Sequence, residues 1–326
     1  LRRNYRDFYA RARRLASALS KRGIKRGDTV SVVLANTPAM LECHYGVPMA
    51  GAVLNTINTR LDAAVNAFTL DHAETKVLMV DREFSRVMKD ALSRAKVKPL
   101  IIDYDDPEFT GDGERIGTLE YEDFLKEGDP DFAWQMPDDE WDAISLNYTS
   151  GTTGDPKGIM LMHRRWLETA AIIPKLLGWM PDERPYSGLS LTHANAQVIT
   201  LSACLVAGIP CVLSRRFTKS RLWDLTRRHG CTTFNLIGGM TTALYAEPPK
   251  PDDADNPVRV VISAGMPAEL WEKFERRFGV RLFESYGAAE GGLTFNPVGV
   301  GPIGSIGKIV PNLKYRIVDE DGRDVP

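Results

Sequence analysis

The chain has 326 residues, 43% of them hydrophobic and 26% charged, an average globular composition that excludes general disorder. A chain of this length exceeds what one hydrophobic core fills, so two or three packed sub-domains are expected. Lys and Arg total 41 against 43 Asp and Glu, a net charge of −2; no long-range field favours nucleic acid or an anionic membrane, and any bound phosphate must be held by a local site.

In chain order, Leu1-Arg2-Arg3-Asn4-Tyr5 leads into a charged segment without the apolar core of a signal peptide, and a start at Leu implies missing N-terminal residues. Tyr5, Phe8, Ala12, Leu15 and Leu19 recur at helical spacing, which predicts an amphipathic helix over residues 4–21. Gly23 and Gly27 punctuate, and Val30–Leu34 reads as a buried strand. Helical stretches then alternate with β-rich runs at Val77–Val80, Leu100–Ile102, Ala143–Leu146, Cys211–Leu213, Thr232–Phe234 and Val258–Ile262. Such alternation predicts an α/β fold of mostly parallel sheets flanked by helices, in two or three sub-domains. No internal repeat is visible.

The acidic, Gly/Pro/Asp-rich stretch Asp103–Glu140, with a helical piece near Tyr121–Leu125, reads as a surface excursion between two α/β lobes. Pro248–Asp253 reads as a second exposed loop, and Tyr315–Asp319 alternates like a strand before a turn at Glu320-Asp321-Gly322. Cys43, Cys204, Cys211 and Cys231 form no CxxC or Cys/His cluster, which predicts reduced, mostly buried thiols of a cytoplasmic protein. No apolar run reaches the ~18–20 residues that span a bilayer; the longest, Val198–Leu213, is broken by Gly208 and Pro210. No transmembrane segment is therefore expected. The six tryptophans (Trp134, Trp141, Trp166, Trp179, Trp223 and Trp271) read as packing, and Glu269, Glu272, Lys273, Arg276 and Arg277 as the solvated face of a helix.

The passage from Leu146 to Gly158 is the most informative. An apolar strand runs into Thr149-Ser150-Gly151-Thr152-Thr153-Gly154, followed by Asp155-Pro156-Lys157-Gly158. The glycines let the backbone approach a ligand closely, successive N–H groups can form an anion-binding nest, and the hydroxyls and Lys157 add donors and positive charge. A polyphosphate needs this combination. A Walker A loop is excluded, because there the Lys follows Gly and precedes Ser or Thr, whereas Lys157 lies between Pro156 and Gly158.

Here the sequence resembles the adenylate-forming superfamily of acyl-CoA synthetases, luciferases and the adenylation domains of peptide synthetases. Its YTSGTTGxPKG signature is matched at every fixed position from Tyr148 to Gly158, which implies a loop that holds the β- and γ-phosphates of ATP. Phe283-Glu284-Ser285-Tyr286-Gly287-Ala288-Ala289-Glu290 is similar to the YGxTE element, whose Tyr stacks on adenine and whose Glu helps hold Mg2+ on the phosphates. Ser263-Ala264-Gly265-Met266-Pro267 resembles the turn along the other adenine face. Leu191-Thr192-His193-Ala194-Asn195-Ala196-Gln197 resembles the element beside the acyl pocket and α-phosphate, and Asn55-Thr56-Ile57-Asn58-Thr59-Arg60-Leu61 an early NxxNxRL stretch.

The resemblance thus implies nucleotide contacts at Thr149, Ser150, Gly151, Thr152, Thr153, Gly154, Lys157, Gly265, Met266, Pro267, Glu284, Ser285, Tyr286, Gly287, Ala288 and Ala289. It implies catalytic roles for Lys157, His193 and Glu290, with Glu290 as metal ligand. Residues 1–326 would be the large N-terminal AMP-binding domain, truncated at both ends, with the small C-terminal lid domain missing. Three departures stand out: Ala289 replaces the usual Thr, Ser190-Leu191-Thr192 lacks the Pro and Phe usual before the His, and Gly238-Gly239 replaces a Val-Pro pair. His44, His72 and His229 read as structural, and His163 as orienting the loop.

The implied activity uses ATP and Mg2+ to convert a small or medium carboxylic acid to an acyl-adenylate, then forms a thioester with CoA. The implied partners are these small molecules and not nucleic acid; a homodimer is one expected assembly. Two alternatives stay open, an acyl-AMP ligase that loads a carrier protein and a non-catalytic nucleotide-binding remnant.

Overall fold

The first expected helix forms as α1 (Tyr5–Lys21). Asn4 caps it by accepting from the Asp7 N–H at 2.8 Å, while Ala12, Leu15, Ala16 and Leu19 turn inward. β1 (Thr29–Val33) follows, buried at every position, as a strand covered on both faces requires. The computed structural model describes residues 1–149, 155–310 and 313–325. The chain divides into two units: Leu1–Ile172 with Ser190–Ser202, and Ile173–Leu189 with Ala203–Pro326.

The first unit continues with α2 (Pro38–Met49), β2 (Val53–Thr56), α3 (Ala63–His72), β3 (Val77–Asp81), α4 (Ser85–Arg94), β4 (Leu100–Tyr104), β5 (Leu119–Glu120), α5 (Tyr121–Lys126), β6 (Ala143–Tyr148) and β7 (Gly158–Met162); α6 (His163–Leu176) follows. Among the described residues its strands form one sheet in the order β5-β4-β3-β1-β2-β6-β7, parallel except for β7. The second unit holds β8 (Pro185–Ser187), α7 (Ala203–Ala207), β9 (Val212–Leu213), α8 (Leu222–His229), β10 (Thr233–Ile237), α9 (Gly239–Tyr245), β11 (Val260–Ala264), α10 (Ala268–Phe278), β12 (Arg281–Ala288), β13 (Gly291–Asn296) and β14 (Lys308–Ile309). Its described sheet runs β14-β13-β12-β11-β10-β8-β9, with β13 and β14 antiparallel.

The α/β reading with mostly parallel sheets holds. A topological repeat also emerges that the sequence hides. The order β2-β1-β3-β4-β5 in one unit matches β9-β8-β10-β11-β12 in the other, the doubly wound order that places ligands beyond the carboxyl ends of the strands.

Several expectations need correction. Residues 103–140 lie wholly within the first unit and are no excursion between lobes. Buried Asp103 accepts from the N–H groups of Ile116 (2.9 Å) and Gly117 (2.7 Å), which returns the chain to pair β5 with β4. Tyr121, Phe124 and Leu125 of α5 are then buried. A fully buried Glu42 on α2 accepts from Arg11 Nε at 2.5 Å and Tyr121 Oη at 2.8 Å, and also pairs with Arg3. Arg11 bonds Glu122 as well, at 2.6 Å, so α1, α2 and α5 share one charged network. Burial alone would lower the Arg11 pKa, yet hydrogen bonds and charge from Glu122 and Glu42 raise it.

Trp141 is 62% exposed, with the Arg164 guanidinium 5.7 Å above its ring, and is not packing. Tyr315–Asp319 forms no strand; Val318 makes a single bridge to Asp324. The apolar run Val198–Leu213 is divided among a π-helix (Asn195–Ser202), α7 and β9. No helix among the described residues is long and apolar enough to cross a membrane. The cysteines are free thiols, with Cys43, Cys204 and Cys231 buried and Cys211 half-buried.

Arg277 is the largest departure from the solvated-face reading. Its guanidinium donates to Asp253 Oδ2 at 2.7 Å and to the carbonyls of Tyr245 (2.6 Å) and Glu247 (2.8 Å), above the ring of Phe278 at 4.7 Å. It pins the Pro248–Asp253 loop, whose Asp253 is buried rather than exposed. Arg277→Met leaves that carboxylate with the Lys250 N–H but without its charge partner, and is expected to cost about 3–5 kcal/mol in urea unfolding. Arg276→Met, on the exposed side of the same helix, should stay within about 0.5 kcal/mol. Equal effects would show that the buried fork does not carry the difference.

Candidate active site

The signature segment begins where β6 ends. β6 and β7 pair antiparallel through Asn147 with Ile159 and Tyr148 with Gly158. One residue further, the Thr149 N–H donates to the Lys157 carbonyl at 3.0 Å, and the Lys157 N–H donates to Thr149 Oγ1 at 3.1 Å. The pairing thus continues past the strands into a closed neck. Lys157 is exposed there, and Pro156 is buried. The predicted contacts Ser150, Gly151, Thr152, Thr153 and Gly154 lie outside the described residues. Tyr148 Oη and His72 Nδ1 are 2.7 Å apart, and burial pushes the Tyr148 pKa up to about 12.

His193 sits in a turn whose N–H donates to the Ser190 carbonyl at 3.0 Å, just ahead of the π-helix. Its Nδ1 accepts from the Asn195 N–H at 3.2 Å, so the proton of the neutral ring is on Nε2. The ring is exposed, yet enough protein surrounds it that desolvation lowers its pKa. His193 therefore offers a neutral Nε2–H donor. His44 bears out the structural reading: it is buried, its Nε2–H donates to the Leu191 carbonyl at 3.1 Å, and desolvation takes its pKa down to about 4. His163 begins α6, and burial lowers its pKa also.

In the second unit the predicted residues gather beyond β11 and along β12. Gly265 has φ +98°, a conformation that a side chain resists, and the Gly238 N–H donates to the Ala264 carbonyl at 2.8 Å to dock the turns after β10 and β11. Glu284, only 2% exposed, accepts from the Gly265 N–H at 2.5 Å and the Met266 N–H at 3.3 Å. Ser285 is buried and donates to the Ser263 carbonyl at 3.1 Å, the Met266 side chain lies in the core, and Pro267 leads into α10. The side chains of Glu284, Ser285 and Met266 thus face inward and shape the backbone. Tyr286 is half-exposed at 50% and Gly287 is exposed, which leaves a flat ring face and open backbone. The ladder with β13 shifts register between Gly287 and Ala288, and Ala289-Glu290 makes the hairpin turn with Glu290 exposed.

Among the described residues no three His, Cys, Asp or Glu side chains could hold a metal together. One exposed carboxylate, that of Glu290, is of a kind that suits Mg2+, which binds through one or two carboxylates plus phosphate oxygens and keeps several waters. A hollow of about 390 Å3 in the first unit is lined by Arg22, Lys25, Asp28 and Lys76 at the amino ends of β1 and β3, none of them a motif residue. Sequence reasoning quoted Asn147 and Gln197 within motifs but gave them no role and passed over Asn36, whose side chain, like theirs, holds these segments. The available signal was an amide within otherwise apolar runs such as Leu146-Asn147-Tyr148.

Burial raises the Glu284 pKa, against the opposing pull of the Gly265 and Met266 N–H groups. A carboxyl group whose pKa is higher folded than unfolded penalises the fold once ionised, and that penalty is relieved as pH falls through its folded and then its unfolded pKa. Wild type should therefore gain stability relative to Glu284→Gln as pH drops from about 7 to about 4, the range in which carboxyl groups titrate. Thermal unfolding of both proteins across that range checks the sign. A wild type that loses ground on acidification would show that the two N–H donors outweigh burial.

The AMP-binding enzyme family model matches residues 2–326. The chain is 37% identical over 309 residues to an acetate/butyrate–CoA ligase of Arabidopsis thaliana, covering 90% of this chain and 53% of that protein. It is 34% identical over 304 residues to an acetate–CoA ligase of Humulus lupulus, covering 89% and 52% respectively. It spans about half the length of these curated relatives. Among solved structures, the anthranilate CoA ligase AuaEII with anthranoyl-AMP superposes with a TM-score of 0.89 at 24% identity, over 98% of this chain and 62% of that one, a likeness of fold. With its signature intact and the family model matched over almost its whole length, the chain belongs to the AMP-binding enzyme family.

Proposed function

We propose that this protein activates a small or medium carboxylic acid with ATP and passes the acyl group to the thiol of CoA. The observation that carries the reading is the unbroken signature from Tyr148 to Gly158, held at its neck between paired strands. The relatives' names, for acetate, butyrate and 2-methylpropanoate, support a small acid.

In the first half-reaction a carboxylate oxygen attacks the α-phosphorus of ATP, the bond to the β-phosphate oxygen breaks, and pyrophosphate leaves. In the second, the CoA sulfur attacks the carbonyl carbon of the acyl-adenylate, the thiol proton is lost and AMP leaves. Little proton chemistry is needed; the task is to position reactants and to offset charge that builds on phosphate oxygens. Lys157 supplies a positive charge at the loop neck, Thr149 its O–H, and Ser150, Gly151, Thr152, Thr153 and Gly154 supply N–H and O–H donors. Tyr286 offers its ring to adenine, alongside the backbone of Gly265, Met266 and Pro267 and of the run Glu284 to Ala289. His193 offers its Nε2–H to the acid or the α-phosphate. Glu290 would be the protein's ligand to Mg2+, which when bound neutralises phosphate charge. A reducing, cytoplasmic setting and homodimeric assembly belong to the same proposal.

Calorimetry tests the nucleotide assignments. ATP carries the β- and γ-phosphates and AMP does not, so Lys157→Ala should weaken ATP binding by about 1.5–3 kcal/mol and leave AMP nearly unchanged. Tyr286→Ala should weaken both, because both contain adenine. An equal loss of ATP and AMP in Lys157→Ala would put the loop at the wrong end of the nucleotide.

An assay with ATP, Mg2+, CoA and a panel of acids, following pyrophosphate and thioester separately, tests the reaction. Acid-dependent formation of both products is expected. Pyrophosphate without thioester would replace CoA with another acceptor, and nucleotide binding with neither product would remove the enzymatic reading.

A further inference from the structure

Three stretches singled out in the sequence meet in one buried ring of hydrogen bonds that the proposed chemistry does not use. Thr56 ends β2, Asn147 lies near the end of β6, and Gln197 lies in the π-helix just after His193. The Thr56 hydroxyl donates to Asn147 Oδ1 at 3.0 Å, Asn147 Nδ2 donates to Gln197 Oε1 at 3.1 Å, and Gln197 Nε2 donates back to Thr56 Oγ1 at 3.1 Å. Exposures are 3% for Thr56, 6% for Asn147 and 0% for Gln197.

The direction of the ring is determined by a group outside it. Gln197 Nε2 also donates to the Leu191 carbonyl at 2.9 Å. A carbonyl can only accept, so the NH2 end of Gln197 must face Leu191 and its oxygen must face Asn147. Asn147 then has to present its own NH2, and its oxygen is left for the Thr56 hydroxyl. Every amide and hydroxyl has one consistent assignment, and members of such a closed ring polarise one another. Leu191 is held at both ends: its N–H donates to Asn36 Oδ1 at 2.8 Å, and its carbonyl also accepts from His44 Nε2.

We propose that Gln197 and Asn147 are positioning residues whose amide pair sets the His193 turn against the Thr149–Lys157 neck. Leu191 lies two residues before His193, and Asn147 two residues before Thr149. The Asn147–Gln197 bond links the two segments directly, and all members of the ring belong to the first unit.

The test uses three near-isosteric variants, Gln197→Met, Asn147→Leu and the mild Thr56→Val, each followed by hydrogen exchange in the folded chain. Each should speed exchange about tenfold in residues 146–149, 157–160 and 191–197 together, as expected for loss of a local bond with the rest of the fold intact. Residues 77–81 and 100–104, in β3 and β4, should keep wild-type rates. The double variant Gln197→Met/Asn147→Leu should be no faster than either single, since a ring is broken only once. Acceleration confined to the mutated element, uniform acceleration throughout the chain, or additive effects in the double variant would overturn the proposal. A second readout rests on the nucleotide reading above: each variant should also lower ATP affinity about fivefold to tenfold. If the wild-type chain binds no ATP, that reading fails, while the exchange pattern still decides the ring.

Discussion

Burial of parallel strands on both faces is the constraint from which the rest of this structure follows. β1 and β3 are buried at every position, so neither strand offers a side chain to a ligand along its length. Chemistry is left to the ends. In the first unit Asn36, Asn58 and Thr149 lie just beyond β1, β2 and β6. In the second, Gly188, Gly238 and Gly265 lie just beyond β8, β10 and β11. The amino ends of β1 and β3 carry a hollow lined by Arg22, Lys25 and Lys76, none of them a motif residue. This asymmetry is general for doubly wound sheets, where the crevice opens at the carboxyl ends.

A turn at the end of a strand has backbone groups without ladder partners, and leaving one buried and unsatisfied costs about 1–3 kcal/mol. Each candidate segment meets that requirement with a different device. The signature neck extends its own ladder through Thr149 and Lys157. The Gly265 turn is held by a carboxylate, Glu284, which binds two N–H groups strongly but bears the desolvation penalty of a buried charge. The His193 turn is held by neutral amides and by a histidine kept neutral by burial, which avoids that penalty. These devices face inward, so the exposed features beside them — Lys157, the His193 ring and the Tyr286 ring — remain at the surface.

Charged residues serve the frame as much as the site. Glu42 joins α1, α2 and α5 through Arg11, Arg3 and Tyr121, and Arg277 joins α10 to the loop before β11. A buried ion pair adds little net stability over a well-packed apolar substitute, but removing one partner leaves a costly unpaired charge. Such networks therefore act as one-sided locks on helix placement.

What the sequence determined by itself was whatever local pattern encodes. Runs such as Val30–Val33 and Val77–Val80 specify buried strands because β-branched residues suit a pleated, covered surface. The 3.6-residue spacing of Phe8, Ala12, Leu15 and Leu19 specifies α1. The fixed positions from Tyr148 to Gly158 specify the family because they fall in one short, contiguous run that sequence alone displays. Tertiary structure decided which polar residues lie inside. Arg277 and Arg276 are adjacent and chemically identical, Asp103 heads an acidic stretch that looks solvated, and Gln197 reads as any amide. Whether such a group is a surface charge, a lock or a positioning residue depends on partners distant in the chain, as with Glu42 and Tyr121 or Thr56 and Gln197. Hydrogen-bond satisfaction is a property of the folded neighbourhood, and local spacing carries no record of it.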